Sequence, residues 1–163
     1  MATYRIKKGK HRSGIHVRPH FGTKRMAWTV RFDESCTYDI GMPDQLDVNK
    51  LCGISHGLHH RDSARFGWAS VGNRIELFAY YYKDGARSFN SMGVHDIGKD
   101  IELHINVNDA YEMTVASDGT IYRDRLVRSP KACKYGYMLY PYFGGNQTAP
   151  HDVKLSLKRW TLL

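Results

Sequence analysis

The sequence has few cysteines and no long apolar run. Its three cysteines, Cys36, Cys52 and Cys133, form neither a CxxC pair nor an even-numbered framework, which is typical of a reducing compartment. No stretch approaches the roughly 20 apolar residues of a membrane span, and the charged N-terminus lacks the apolar run of a secretory signal. We therefore predict a soluble cytoplasmic protein with no membrane partner, located in the host cell cytoplasm if a phage encodes it.

Helical periodicity is also missing over any useful length. Short segments alternate apolar and polar residues instead, most clearly over 26–32 and 101–107, and clusters of turn residues separate them. This pattern predicts an all-β protein with little or no helix, an antiparallel β-sandwich or jelly roll. The length of 163 residues favours a single domain over 1–163.

The segment 63–85 predicts two strands joined by a tight turn at 71–74, and this hairpin is expected to be central. The apolar residues at 75, 77 and 79 should face a core. The opposite face carries Arg65, Glu76, Tyr80 and Tyr82. A face that is both polar and aromatic favours a binding groove, although antiparallel sheets often simply expose one side to water.

The first 20 residues are strongly basic. Segments 4–8 and 15–19 flank a glycine-containing turn and predict a hairpin with apolar positions at Tyr4, Ile6, Ile15 and Val17. This hairpin over 1–20 could lie at the periphery of the domain. Its basic face could bind phosphate or sulfate, or it could be a mobile cationic arm.

Two loops contain potential cation ligands. The loop Asp33–Asp47 holds five carboxylates and could bind Ca²⁺, but it lacks the spacing of an EF-hand, so an acidic loop that offsets the basic surface is the simpler interpretation. The loop 49–62 contains His56, His59 and His60. Their spacing matches no closed zinc pattern, and a polar rim beside the groove is favoured over a metal site.

The charge balance points to an anionic partner. The formal net charge is +8, from 24 Lys and Arg against 16 Asp and Glu, and the chain has eleven tyrosines. A positive surface attracts acidic glycans, nucleotides or nucleic acid, and tyrosine rings offer stacking faces to such ligands. The aromatic segment 134–145 adds Tyr140 and Tyr142 to the predicted ligand-binding residues.

Two parts of the chain resemble jelly-roll polysaccharide lyases of the concanavalin-A-like superfamily. The first is Lys50–Gly57 followed by Ser63–Trp68 and the tyrosine strand to Tyr82; the second is Tyr142–Gly145, then Ala149–Pro150 and a final strand. The resemblance implies a concave sheet that holds an acidic glycan. It also implies a cation that neutralises the uronate carboxylate, and Tyr or His side chains that transfer the protons of β-elimination.

Carried over by position, the resemblance assigns Arg65 to the carboxylate and assigns the acid and base to Tyr80, Tyr82 or Tyr142 with His56 or His59. Three functions therefore stay open. The first is a non-catalytic module that binds an anionic ligand on a basic, tyrosine-lined concave face, suited to a phage or mobile-element protein. The second is a lyase, and the third is a structural or virion assembly protein, such as a homo-oligomer, that uses the same face as an interface.

Overall fold

A computed structural model describes residues 1–160, which form two antiparallel six-stranded sheets packed face to face. The strands are β1 (Ala2–Ile6), β2 (Pro19–Phe21), β3 (Arg25–Phe32), β4 (Asn49–Ser55), β5 (Ser63–Val71), β6 (Arg74–Lys83), β7 (Ala86–Asp96), β8 (Ile101–Val107), β9 (Ala110–Ser117), β10 (Thr120–Val127), β11 (Tyr135–Leu139) and β12 (Val153–Trp160). Sheet 1 has the order β1-β12-β3-β8-β9-β10 and sheet 2 the order β2-β11-β4-β5-β6-β7. The predicted all-β sandwich is confirmed.

The core lies between the sheets because each strand directs alternate side chains inward. In β8, Ile101, Leu103 and Ile105 are completely buried, as are Ile75 and Leu77 in β6. Removing apolar surface of this kind from water stabilises the fold by about 25 cal/mol per Å². The aromatic part of this core includes Trp28 edge-on to Phe66, and Trp68 against Phe32 and Phe143.

The predicted central hairpin is present as β5 and β6, joined by Gly72 and Asn73. Gly72 has φ +59°, a left-handed conformation that glycine adopts without penalty. The register pairs Arg65 with Tyr80 and Ser63 with Tyr82. Arg65, Tyr80 and Tyr82 therefore share the face of sheet 2 that points away from the core, as the alternation predicted.

The predicted N-terminal hairpin over 1–20 does not form. β1 pairs with β12 in sheet 1, whereas the short β2 pairs with β11 in sheet 2. Of its expected apolar positions, Ile6 is buried, but Ile15 and Val17 are 88% and 80% exposed. Long-range pairing therefore overrides the local hairpin pattern and places the two halves of this segment in different sheets.

Over the described residues, helical structure is limited to two short 3₁₀ segments in the acidic loop, Glu34–Cys36 and Asp44–Leu46. The Asp33 carboxylate accepts a hydrogen bond from the Ser35 backbone and caps the first segment. Between residues 1 and 160, no helix is long and apolar enough to cross a membrane.

Candidate functional site

A groove of about 510 Å³ lies on the outer face of sheet 2. Its floor comes from β4, β5 and β6, one wall from β11 and the turn after it, and the other from the irregular segment 12–18, hereafter the strap. The predicted site residues that line it are Arg65, Tyr80, Tyr82, His59, His60, Tyr140 and Tyr142. The fold therefore brings together seven of the residues that the sequence singled out.

Arg65 and Tyr80 form the centre of the floor. The guanidinium carbon of Arg65 lies 5.7 Å from the centre of the Tyr80 ring, a cation–π distance. We expected both groups to be open to solvent, but Arg65 is only 7% and Tyr80 only 3% exposed. They point away from the core, and neighbouring side chains of the same sheet cover Tyr80, including Phe89, which stacks on it at 6.0 Å.

Burial changes the electrostatics of this floor. Desolvation lowers the pKa of Arg65 from its usual value, and the neighbouring hydroxyls of Tyr80, Tyr82 and Tyr137 oppose that shift. Arginine stays protonated in proteins. Its Nε is buried and has no hydrogen-bond partner among residues 1–160, so the protein leaves this cation incompletely satisfied.

Lys50 places a second cation beside Arg65. Its Nζ donates to the Gly144 carbonyl at 2.9 Å and lies 5.6 Å from the centre of the Tyr80 ring. Desolvation, followed by repulsion from Arg65, lowers the Lys50 pKa to about 8. Two cations within 6 Å of the centre of one tyrosine ring favour binding of an anion beside them.

His59 and Tyr137 form a hydrogen-bonded pair at one end of the floor. The Nδ1 of His59 lies 2.5 Å from the Tyr137 hydroxyl. Burial, followed by repulsion from Arg65, lowers the His59 pKa to about 4, so the imidazole is neutral at pH 7. The ring of His60 contacts both His59 and Tyr82, at centroid distances of 4.1 and 5.2 Å.

The two walls meet through stacked rings. On the strap side, His11 stacks on Tyr142 at 5.0 Å and His16 stacks on Tyr140 at 4.9 Å. Tyr142 also exchanges backbone hydrogen bonds with Lys50 at 2.8 and 2.9 Å. The next residue, Phe143, is buried against Tyr38 and Trp68, which fixes Tyr142 on the groove side.

The groove lining is cationic and contains no carboxylate among the described residues. Arg12, Lys50, Arg65 and Arg87 supply four permanent or titratable cations, and five tyrosines accompany them. The segments that form the two walls also lack acidic residues, since 1–32 and 125–151 contain no Asp or Glu. Asp47 lies behind the floor, where it accepts from the Asn146 backbone and raises the Lys50 pKa slightly against the larger lowering effects.

Two predicted site residues lie outside the groove. His56 is buried between the sheets, where its Nδ1 lies 2.8 Å from the Tyr111 hydroxyl and its ring contacts His20. Glu76 is on the groove face of β6 but nearer the β5–β6 turn, where it accepts a hydrogen bond from Ser91. The alternation of residues along β6 predicted the face of Glu76 correctly. His56 was expected in a loop, where alternation does not predict the direction of a side chain.

Several carboxylates of the acidic loop make separate hydrogen bonds. Among residues 1–160, no three His, Cys, Asp or Glu side chains converge to hold a metal ion. Asp33 caps a 3₁₀ segment, Asp39 accepts from the Gly41 backbone, and Asp44 accepts from Gln147. These three carboxylates are engaged in hydrogen bonds within and beside the loop, and Ca²⁺ binding stays an untested alternative.

Sequence reasoning missed five groove residues: Arg12, His16, Lys50, Arg87 and Tyr137. Tyr137 could have been found, since it alternates with Gly136 and Met138 in a strand that was recognised. Lys50 could not, because a register shift between Lys50 and Gly53 interrupts the alternation of β4. In the strap the alternation of Ile15 and Val17 predicted a strand that does not form, so it gave no guide to the groove.

Similar proteins share the fold. No protein-family model and no curated protein sequence matches the chain. Among solved structures, a functionally unknown protein from Saccharomyces cerevisiae is similar with a TM-score of 0.59 and 14% identity, over 99% of this chain and 88% of that one. An alginate lyase from Pseudomonas aeruginosa is similar with a TM-score of 0.58 and 9% identity, over 86% of this chain. This chain spans 66% of that lyase.

The likeness is one of fold. At these identities it supports the β-sandwich and a loose resemblance to a lyase fold, and it identifies no ligand. Function has to be argued from the groove itself.

Proposed function

We propose that the groove binds an acidic polysaccharide and that the protein is a non-catalytic binding module. The observation that carries this proposal is the groove lining, in which residues 1–160 supply four cationic side chains and five tyrosines and no carboxylate. A site of this composition attracts a ligand that carries negative charge and presents flat faces to aromatic rings. An acidic glycan has both properties.

The buried cations give the site its preference for charge. Arg65 and Lys50 are desolvated, and their interaction with an anion is therefore stronger than that of exposed side chains. The guanidinium of Arg65, which lines the groove, offers charge-assisted hydrogen bonds to a carboxylate or sulfate oxygen. The fold shared with an alginate lyase supports the choice of a uronate glycan over a nucleotide.

The test is calorimetric titration with oligouronates prepared from alginate, at low and at moderate salt. We expect binding that weakens as salt rises, because screening reduces the attraction between the groove and the carboxylates. In Arg65→Ala the affinity should fall at least tenfold, about 1.4 kcal/mol, since the central cation is lost.

Arg123→Ala is the matched control, because Arg123 is an exposed arginine on β10 of the other sheet. Its affinity for the oligouronates should equal that of the wild type. Equal binding by Arg65→Ala would contradict the proposal, and so would equal binding of a neutral oligosaccharide. Tighter binding of a single-stranded oligonucleotide would reassign the groove to nucleic acid.

The His59–Tyr137 pair favours a second candidate, a lyase that cleaves a uronate glycan by β-elimination. In that reaction a base removes the proton next to the carboxylate, a cation stabilises the enolate, and an acid protonates the departing glycosidic oxygen. Neutral His59 and the Tyr137 hydroxyl are 2.5 Å apart and lie close to the Arg65 cation. These three groups could supply base, acid and enolate stabilisation.

The two candidates differ in turnover. A lyase would generate the absorbance of an unsaturated uronate from oligouronates, and Tyr137→Phe would abolish that signal while binding persists. If the wild type and Tyr137→Phe both bind oligouronates and neither generates this absorbance, the module is non-catalytic.

A further inference from the structure

An exposed aromatic pair lies beyond the pocket, on the wall strand β11 and its neighbour β2. Phe21 on β2 and Tyr135 on β11 are paired in the register of the two strands and are 84% and 61% exposed. Their neighbour His20 is buried on the core side, so Phe21 projects from the opposite face, the one that holds the groove. We refer to Phe21 and Tyr135 as the shelf.

The shelf is aligned with the groove. Tyr137, which lines the groove, lies two residues along β11 from Tyr135 and therefore points from the same face, about 7 Å away. That spacing is on the scale of one residue of an extended polymer. Tyr135 and Phe21 thus form the next pair of ring faces on the path that runs along β11.

The segments that carry the shelf are basic, like those that line the groove. Lys134 precedes Tyr135 and Arg18 lies three residues before Phe21; both are exposed, and backbone hydrogen bonds join Arg18 to Met138 and Lys134 to Gly22. The segments that carry the shelf contain no carboxylate. An exposed aromatic pair in basic segments that lack carboxylates fits an anionic chain that stacks on the rings.

We infer that the ligand is a polymer whose chain extends from the groove over the shelf, so that Phe21 and Tyr135 form an additional subsite. This inference rests on the proposed function, because it assigns a chain length to the ligand of the same groove. It excludes a mononucleotide or a single sugar as the complete ligand. A ligand that filled the pocket alone would leave two large rings exposed to water without a role in binding.

The experiment measures affinity against chain length, using size-fractionated oligouronates from alginate of two to eight residues. In the wild type the affinity should continue to rise after the pocket is filled. In a Phe21→Ala/Tyr135→Ala double variant the shortest oligomer should bind as in the wild type, and the longest at least fivefold more weakly, as expected for the loss of stacking.

Two controls identify the cause. Tyr135→Phe should retain the wild-type length dependence, because it keeps the ring. Ile121→Ala, at an exposed apolar residue of β10 in the other sheet, should also leave it unchanged. Circular dichroism of each variant checks that the sandwich is intact.

Identical length dependence in the wild type and the double variant would overturn the inference and leave the proposed function standing. If the wild type binds no oligouronate of any length, the proposed function fails and the shelf subsite fails with it. Sedimentation velocity covers a third outcome: a wild-type dimer that the double variant abolishes would make the shelf a contact between two copies of this chain, and would also overturn the inference.

Discussion

Arg65 illustrates how a binding residue can lower the stability of the fold that holds it. Arg65 is 7% exposed, its Nε has no partner among residues 1–160, and the groups that favour its charge are the tyrosines Tyr80, Tyr82 and Tyr137 rather than carboxylates. A buried cation without a counter-ion loses hydration that nothing in the protein replaces. The groove therefore has a stored electrostatic cost that an anionic ligand would relieve.

Arg65→Met should increase stability while it abolishes ligand binding. Methionine keeps much of the aliphatic volume and removes the desolvated charge, so we expect the free energy of unfolding to rise by about 1 kcal/mol. Urea denaturation measures this change. A loss of stability would mean that the guanidinium makes a net stabilising contribution, most simply through its contact with the Tyr80 ring.

His56 should make the fold sensitive to acid. Its burial lowers the folded-state pKa to about 3, below the unfolded value of about 6.5. Below pH 6.5 the unfolded chain therefore binds a proton at His56 that the folded chain does not bind. The contribution of neutral His56 to stability is fully present above pH 6.5. That contribution is lost progressively towards pH 3, by at most about 1.4 kcal/mol per pH unit.

His56→Gln removes this titration, and its free energy of unfolding should therefore depend less steeply on pH between 6.5 and 4 than that of the wild type. Denaturation curves at a series of pH values give the two slopes. His59→Gln serves as a comparison, since its lowered pKa of about 4 predicts a similar but smaller effect. If the free energy of unfolding depends equally on pH in His56→Gln and in the wild type, the assignment of this acid sensitivity to His56 is wrong.

At the scale of elements, the alternation of residues was enough to predict strands and their faces. It placed Arg65 and Tyr80 on one face because β5 and β6 are regular and are joined by two residues. It failed at the N-terminus, where the partner of β1 is β12 at the other end of the described chain. Alternation describes a strand from its own residues and carries no information about which distant strand it pairs with.

The bulge in β4 requires glycine at position 53. A Cβ there would collide with the backbone of Ala64 and Arg65 on β5, where neither atom can move away freely. Gly53→Ala should therefore push β4 from β5 and cost several kcal/mol of stability. Thermal denaturation of the purified variant tests this expectation.

Gly72→Ala provides the comparison for Gly53. In Gly72→Ala no atom lies within 4 Å of the added Cβ. The only expected cost is that of a non-glycine residue at φ +59°, which is about 1 to 2 kcal/mol. We expect the melting temperature of Gly53→Ala to lie clearly below that of Gly72→Ala. The reverse order would show that the strands separate more easily than their close approach implies.

At the scale of the whole molecule, the three cysteines are free thiols in different surroundings. Cys36 and Cys52 are buried and Cys133 is exposed. Burial raises the pKa of Cys36 to about 12 and raises that of Cys52 well above its usual value, so neither forms the reactive thiolate readily. Cys133 should therefore be the thiol that reacts in the folded protein.

Titration with a thiol reagent should detect one rapidly reacting group in native protein and three in denaturant. In Cys133→Ser the rapid reaction should disappear, and the melting temperature should not change with reducing agent. Rapid reaction of a second native thiol would indicate that the sandwich opens easily around Cys36 or Cys52.

How the groove is assembled explains why only part of it could be predicted. Arg65, Tyr80 and Tyr82 come from one local hairpin, and the rule of alternation finds them. Arg12 reaches the site because the chain crosses from sheet 1 to sheet 2 between β1 and β2. That crossing depends on the packing of both sheets, and no short stretch of sequence encodes it.

The positions of the tryptophans separate two optical signals. Trp28 and Trp68 lie in the core, and Trp160 lies on sheet 1, where its Nε1 donates to the Thr29 hydroxyl. None of the three lines the groove, whose aromatic side chains are tyrosines and histidines. Indole emission should therefore follow unfolding alone, whereas selective tyrosine absorbance should change when the groove is occupied, so one sample could be monitored for both processes at once.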